Sequence, residues 1–238
     1  MRSITPTGLI RSAAGIAAVG ALAFGLAACA STSDSASNNT APTHRANPTV
    51  SAEPSATETP LATLPSLTKG VDTKVAVDSS FVSALTSLGL TPGVVGTATF
   101  TDGTFSFPIT GGNVTYYDPD GDVRPYVQGD VQHDGSGLSL TAGSTVVELK
   151  NFDIDPGASK LYGDVVVNGE TVASHAYLFN LWGGSLKPLQ MQGDNAVLTG
   201  TTVHISPDAA GLLNSTFKTD AVQDEMLVGV ATITVATK

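Results

Sequence analysis

The chain has 238 residues, 13% of them charged and 41% hydrophobic, the balance of an ordinary globular protein of one or at most two domains. Eleven Lys and Arg against 21 Asp and Glu give a formal charge of −10, which leaves no electrostatic footprint for a phosphate backbone and excludes nucleic acid as a partner. A single cysteine closes no disulfide within the chain and builds no thiolate cluster for zinc or iron–sulfur.

In chain order, Arg2 and Arg11 flank a polar start, and Ser12 to Ala28 then runs without a charge, rich in Ala and Gly. This is the basic n-region and apolar h-region of a signal peptide, at the short limit of the roughly 20 residues that span a bilayer. The run ends in Leu26-Ala27-Ala28-Cys29, which resembles the bacterial lipobox, where signal peptidase cuts before a cysteine that carries the lipid. The resemblance implies that residues 1–28 are a lipoprotein signal peptide and that Cys29 is the lipidated start of the mature chain. It also implies anchoring on the extracytoplasmic face of the cell membrane, each buried acyl methylene contributing about 0.8 kcal/mol.

From residue 29 to 70 the composition turns to Ser, Thr, Ala, Asn and Pro, without Phe, Tyr, Trp or Ile. Such a stretch buries too little apolar surface to offset its ordering entropy and is expected to be a disordered tether. Its r.m.s. reach is about 35 Å, enough to lift a domain clear of the headgroups.

Residues 71–238 are expected to form one domain. Asp78 or Ser79 caps a first helix that places Phe81, Leu85 and Leu88 on one face and stops at Gly89. Alternating runs then predict strands at 96–101, 104–109, 112–117, 123–133, 137–142, 145–154, 161–167, 170–182, 195–205 and 227–235. Asp102-Gly103, Gly111-Gly112, Asp134-Gly135, Asn168-Gly169 and Gly183-Gly184 mark turns, with Asn168-Gly169 the strongest hairpin signal. Ser206-Pro207-Asp208 opens a second helix, with Ser as N-cap and Pro at the first helical position. The expected fold is mainly β, a single antiparallel β-sandwich or barrel with two short helices. Val95–Phe100 and Val228–Ile233 resemble each other and suggest either a helix–strand repeat or two strands lying together.

Catalytic vocabulary is sparse: no nucleotide loop, HExxH, CxxC or GxSxG occurs, and the reading is not an enzyme. Asp130 and Asp134 flank His133, a conceivable acid–base pair, without a nucleophile or metal beside it. Asp118, Asp120 and Asp122 alternate as calcium ligands do, but the glycine stands fourth and no Glu follows at the twelfth position, so a hairpin tip is the better reading. Trp182, followed by Gly183-Gly184, has two readings, a binding-face aromatic or a core residue, and a lone Trp at a strand end reads as core.

Phe107-Pro108-Ile109-Thr110-Gly111-Gly112, then Gly129-Asp130-Val131-Gln132-His133 and Gly135-Ser136-Gly137-Leu138-Ser139-Leu140, form the most distinctive stretch. It resembles a β-module of exported bacterial proteins and, distantly, the HtaA-type haem-binding domains of actinobacterial surface proteins. That second resemblance implies haem as a possible ligand. The chain departs from it where those domains bring a haem-ligating tyrosine, since Phe81-Val82-Ser83-Ala84-Leu85 has none. The candidate ligand-binding residues are therefore Tyr116, Tyr117, Tyr126 and His133, because phenolate and imidazole both bind ferric iron. The alternative is that they are ordinary strand and turn residues, His133 tying down the Asp134-Gly135 turn. The sequence thus predicts a lipid-anchored extracytoplasmic binding or envelope-interaction module. Its partner is an envelope protein, a glycan or a small molecule, with haem binding as the alternative.

Overall fold

The computed structural model describes residues 58–238. The expected signal peptide, Cys29 and the tether up to residue 57 lie outside the described residues.

Within them the fold is mainly β: an antiparallel sheet curled into a half-barrel, with two helices. The strands are β1 (Ala62–Leu64), β2 (Gly70–Val77), β3 (Thr91–Gly96), β4 (Thr99–Thr101), β5 (Thr104–Pro108), β6 (Gly111–Tyr116), β7 (Val127–Ala142), β8 (Thr145–Asp155), β9 (Lys160–Val167), β10 (Glu170–Trp182), β11 (Gln190–Gln192), β12 (Asn195–Ile205) and β13 (Leu227–Ala236). The main path through the sheet is β1-β6-β7-β8-β9-β10-β12-β13-β2-β5-β4, with β3 added on β7 and β11 on β12.

Three sequence expectations need correction here. The composition predicts a tether through residue 70, yet β1 pairs with β6 and Leu67 is 1% exposed, so the folded part begins before residue 71. Asp134-Gly135 is no turn. The long strand β7 runs through it, shifting register against β8 between His133 and Gly137, a bulge that uses the same positive-φ glycine a turn would (Gly135, φ +74°). The strands around Val95–Phe100 and Val228–Ile233 do not lie together, since β13 sits between β12 and β2.

Both helices start where their caps predict. Asp78 accepts a hydrogen bond from the Ser80 backbone N–H and opens α1 (Ser79–Ser87). Ser206 accepts one from Ala209 N–H and opens α2 (Pro207–Phe217), whose Ala209, Ala210 and Leu213 are buried. Among the described residues no helix is long and apolar enough to cross a membrane.

The curl has a local cause. Bulges in β7, β8 and β10 fall at one level of the sheet, and Asn151 (φ +53°) and His175 (φ +49°) take the left-handed conformation there. They are stitched side to side: Gly135 N–H donates to Asn151 Oδ1, Asn151 Nδ2 to Asp164 Oδ2, and His175 N–H to Asp164 Oδ1. Each bulge adds twist and bend, and a row of them folds the sheet along one line. Close approach at that line demands small residues. A Cβ on Gly96 would stand 1.9 Å from the Gly135 carbonyl oxygen, and one on Gly137 would stand 2.2 Å from that of Leu149.

The bend brings opposite walls together. Phe107 on β5 meets Phe152 on β8 edge-on at 5.1 Å, and Phe152 meets Phe179 on β10 at 6.4 Å. These rings belong to a single core closed by Leu85 of α1 and Leu213 of α2.

Candidate binding site

His133 points into that core and is 1% exposed. A backbone carbonyl can only accept, so Nδ1–H donates to Phe152 O at 3.2 Å, and Nε2 accepts from the Thr73 hydroxyl at 2.8 Å. Thr73 lies on β2, which five strands separate from β7 along the sheet, so this hydrogen bond ties one wall of the half-barrel to the other. Burial pushes the imidazole pKa down to about 4, against the opposing pull of the Phe152 and Val131 carbonyls and the Asp134 charge. The ring is therefore neutral at pH 7 with both nitrogens engaged, and no lone pair is left for a metal. The space around it, about 190 Å³, is lined by apolar side chains apart from Thr73 and His133. Small-molecule sites usually measure about 300–1,000 Å³.

The three tyrosines sit elsewhere. Tyr116 is buried and meets Tyr126 edge-on at 5.8 Å, while Tyr117 N–H donates to Tyr126 O. Burial pushes the Tyr126 phenol up, with Tyr116 adding to the shift and Arg124 opposing it. Tyr126 lines a larger pocket of about 500 Å³, together with Arg124, Pro125, Val127, Ile154, Leu181, Leu198 and Ile233. Tyr116 lines a neighbouring pocket of about 210 Å³. The structure thus brings Tyr116 and Tyr126 together and keeps His133 in a separate cavity.

Asp118, Asp120 and Asp122 form the tip that precedes this pocket. Asp118 Oδ1 accepts from Asp120 N–H, and the Glu58 carboxylate accepts from the backbone N–H groups of Asp122 and Val123. Among the described residues no three His, Cys, Asp or Glu side chains converge as a metal site would require.

The outer face carries what the sequence reading missed. Trp182, expected in the core, is 53% exposed and stacks on His204 at 4.2 Å with the planes 21° apart. Glu225 O accepts from His204 Nδ1–H, and the Thr202 hydroxyl meets Nε2 at 3.0 Å. On the same face Tyr162 stacks on His175 at 4.6 Å and adjoins Tyr177, with the Lys160 ammonium 4.5 Å above the Tyr177 ring. The Tyr177 hydroxyl donates to Asn180 Oδ1, whose amide donates to the Glu225 carboxylate. Cross-strand pairing puts these groups in one strip over β9, β10 and β12.

Fold and surface together define a curled antiparallel β domain with a tied, apolar interior and an aromatic outer strip. No family model matches the chain, and no curated protein matches it. Among solved structures it is similar to the C-terminal domain of HtaA from Corynebacterium glutamicum, at 14% identity over 70% of this chain and 98% of that one, with a TM-score of 0.45. It is also similar to the heme binding protein HtaB from the same organism, at 10% identity over 74% and 96%, with a TM-score of 0.44.

Proposed function

We propose that the chain is a binding module of the cell envelope and not an enzyme, held at the extracytoplasmic face of the membrane by a lipid on Cys29. Its partner is an envelope glycan. What supports this reading is the outer strip: a Trp ring that keeps about half its surface exposed although a partner ring backs it from below. Exposed rigid rings mark interaction surfaces, because they offer a large apolar area at little entropic cost. Here Lys160, Asn180, Thr202 and Glu225 interleave the rings, so apolar faces alternate with hydrogen-bonding groups as they do on a pyranose.

Co-sedimentation of the full chain with insoluble envelope glycan tests this. Trp182→Ala is expected to weaken binding about thirtyfold, the effect of losing a central aromatic anchor worth about 2 kcal/mol. Equal sedimentation of both proteins would refute the glycan reading. The anchor has its own test: Cys29→Ala is expected to leave the washed membrane fraction, and persistence there counts against lipidation.

A second reading is haem binding, favoured by Tyr126 standing with Arg124 on the wall of an open pocket of ligand size. A phenolate ligates ferric iron and a guanidinium pairs with a propionate. Ferric haem titration should then give a saturable Soret change that Tyr126→Phe removes and His133→Ala leaves in place. A featureless titration removes haem.

A further inference from the structure

The pocket beside Arg124 combines features that the glycan reading does not use. Arg124 is the only arginine among the described residues and the only charged residue that lines the pocket. Its guanidinium is fixed by two backbone carbonyls, Nη1 donating to Val123 O and Nη2 to Pro119 O, both at 2.8 Å. It enters none of the ion pairs among the described residues, and Asp118, Asp120 and Asp122 of the adjoining tip do not line the pocket. A positioned cation without a carboxylate partner therefore stands at one side of an otherwise uncharged hollow, its remaining N–H donors free for a ligand.

The rest of the wall is uncharged and mostly apolar, with Val127, Ile154, Pro156, Leu181, Leu198 and Ile233 outweighing the hydroxyls of Tyr126, Ser159 and Thr201. Four of these residues, Val127, Pro156, Leu198 and Ile233, also line the neighbouring pocket of about 210 Å³, whose further walls are Leu64, Val114, Leu189 and Met191 among others. Two apolar hollows thus share a wall, and the cation belongs to the larger one. That asymmetry fits a molecule with one charged end and one long apolar end.

We propose that this pocket binds a single-chain anionic amphiphile, a fatty-acid carboxylate, with the head paired to Arg124 and the chain laid along Leu181, Leu198 and Ile233. One cation matches a monoanion, and the combined space suits one acyl chain. The planar guanidinium meets the carboxylate fork to fork, which a point charge does not reproduce. The site is independent of the outer strip, so either assignment can fail alone.

The test uses the full chain carrying Cys29→Ser, so that no attached acyl group competes, and a series of straight-chain carboxylates of increasing length beside the matching alcohols. Affinity for the carboxylates is expected to rise about fourfold per added methylene until the pocket is filled, the effect of burying one methylene. Arg124→Gln is expected to weaken the carboxylates about tenfold and leave the alcohols unchanged. Gly183→Leu supplies a second variant. A Cβ there meets nothing within 4 Å, so the fold tolerates it while its side chain intrudes on the pocket, and all chain lengths should bind more weakly. Affinity independent of chain length overturns the proposal, as does an Arg124→Gln effect of equal size on acid and alcohol. A pocket that ignores the carboxylates and takes ferric haem instead, through Tyr126, overturns it in favour of iron ligation.

Discussion

His133 and His204 use one hydrogen-bond scheme on opposite faces of the same sheet. In each, Nδ1–H donates to a backbone carbonyl and Nε2 meets a threonine hydroxyl, at 3.2 and 2.8 Å for His133 and 2.9 and 3.0 Å for His204. The difference lies in where the threonine comes from. Thr73 reaches His133 from the opposite wall, so the pair closes the half-barrel; Thr202 lies two residues from His204 on its own strand, so that pair only fixes a ring in place. The fixed ring then serves as the floor under an exposed Trp182. The inner histidine is thus a structural tie and the outer one a support for an exposed ring, although their immediate bonding is the same.

Breaking the inner tie should have the largest effect. Phe152 links both matters: its ring touches Phe107 and Phe179, and its carbonyl accepts from His133. Phe152→Ala is expected to destabilise the domain by about 4 kcal/mol through the cavity it leaves. Urea unfolding read by near-UV circular dichroism checks this, and a loss under about 1 kcal/mol would show that the two walls are not packed as a unit.

His133 makes the same comparison through pH. Its folded pKa of about 4 lies below the unfolded value of about 6.5, so the unfolded chain takes up a proton first as pH falls. The stability it supplies is complete above pH 6.5, declines as pH drops towards 4 and is constant below, with a total loss of about 3 kcal/mol. Asp153 acts in the opposite sense. Its carboxyl is pushed above the usual range, mainly by burial and next by Asp130, so protonation on acidification favours the folded state. The His133 contribution is therefore read as a difference: a plot of stability against pH for His133→Phe should lack the decline between 6.5 and 4 that the parent shows. Parallel curves would mean that the ring is not held neutral.

How legible this was depends on whether a signal was local. Asn168 and Gly169 both take positive φ in the β9–β10 hairpin that their sequence announces, and Asp78 and Ser206 cap the helices they precede. Strand β2 escaped the reading because its partners, β13 and β5, are far away in the chain, and only pairing shows that Thr73 faces inward with Val75 and Val77. Asp134-Gly135 misled because a bulge and a turn ask for the same residue. Trp182 misled for a different reason. The expectation rested on residue type, whereas alternation from inward Phe179 and Leu181 puts position 182 on the outer face with Asn180. Arg124 stands out in the sequence only as the lone arginine among 181 described residues, beside Pro125 and Tyr126.

The bulge row that bends the sheet should be less sensitive than the tie it makes possible. Asp164 accepts from Asn151 Nδ2 and from His175 N–H, and these bonds, the Asn151 one foremost, hold its carboxyl below the usual range. Asp164→Ala removes two acceptors at the bend and is expected to cost about 2 kcal/mol. As a depressed carboxylate, Asp164 supports the fold above the unfolded pKa of about 4 and stops doing so as pH falls through its lower folded value. The variant should therefore approach the parent in strong acid. If it does not, the bend is held by backbone geometry alone.

The outer face should show the smallest effect on stability and the largest on binding, which is the sharpest contrast with the interior. Trp182 gives up about half its ring to solvent, so its removal costs little buried area, and the lost stack on His204 contributes about 1 kcal/mol or less. His204 keeps both of its hydrogen bonds in Trp182→Ala, since neither involves the indole, and the floor should survive the loss of the ring above it. A protein selected only for stability gains nothing from holding a large aromatic ring in water above a second ring. Replacing Trp182 with Ala should therefore leave the urea midpoint nearly unchanged while glycan binding falls. Substituting Thr202 with Val should reproduce part of that fall, because His204 then loses the hydroxyl that fixes the orientation of its ring. If Thr202→Val lowers stability as much as Phe152→Ala does, the outer histidine is a structural tie like the inner one, and the distinction between the two faces fails.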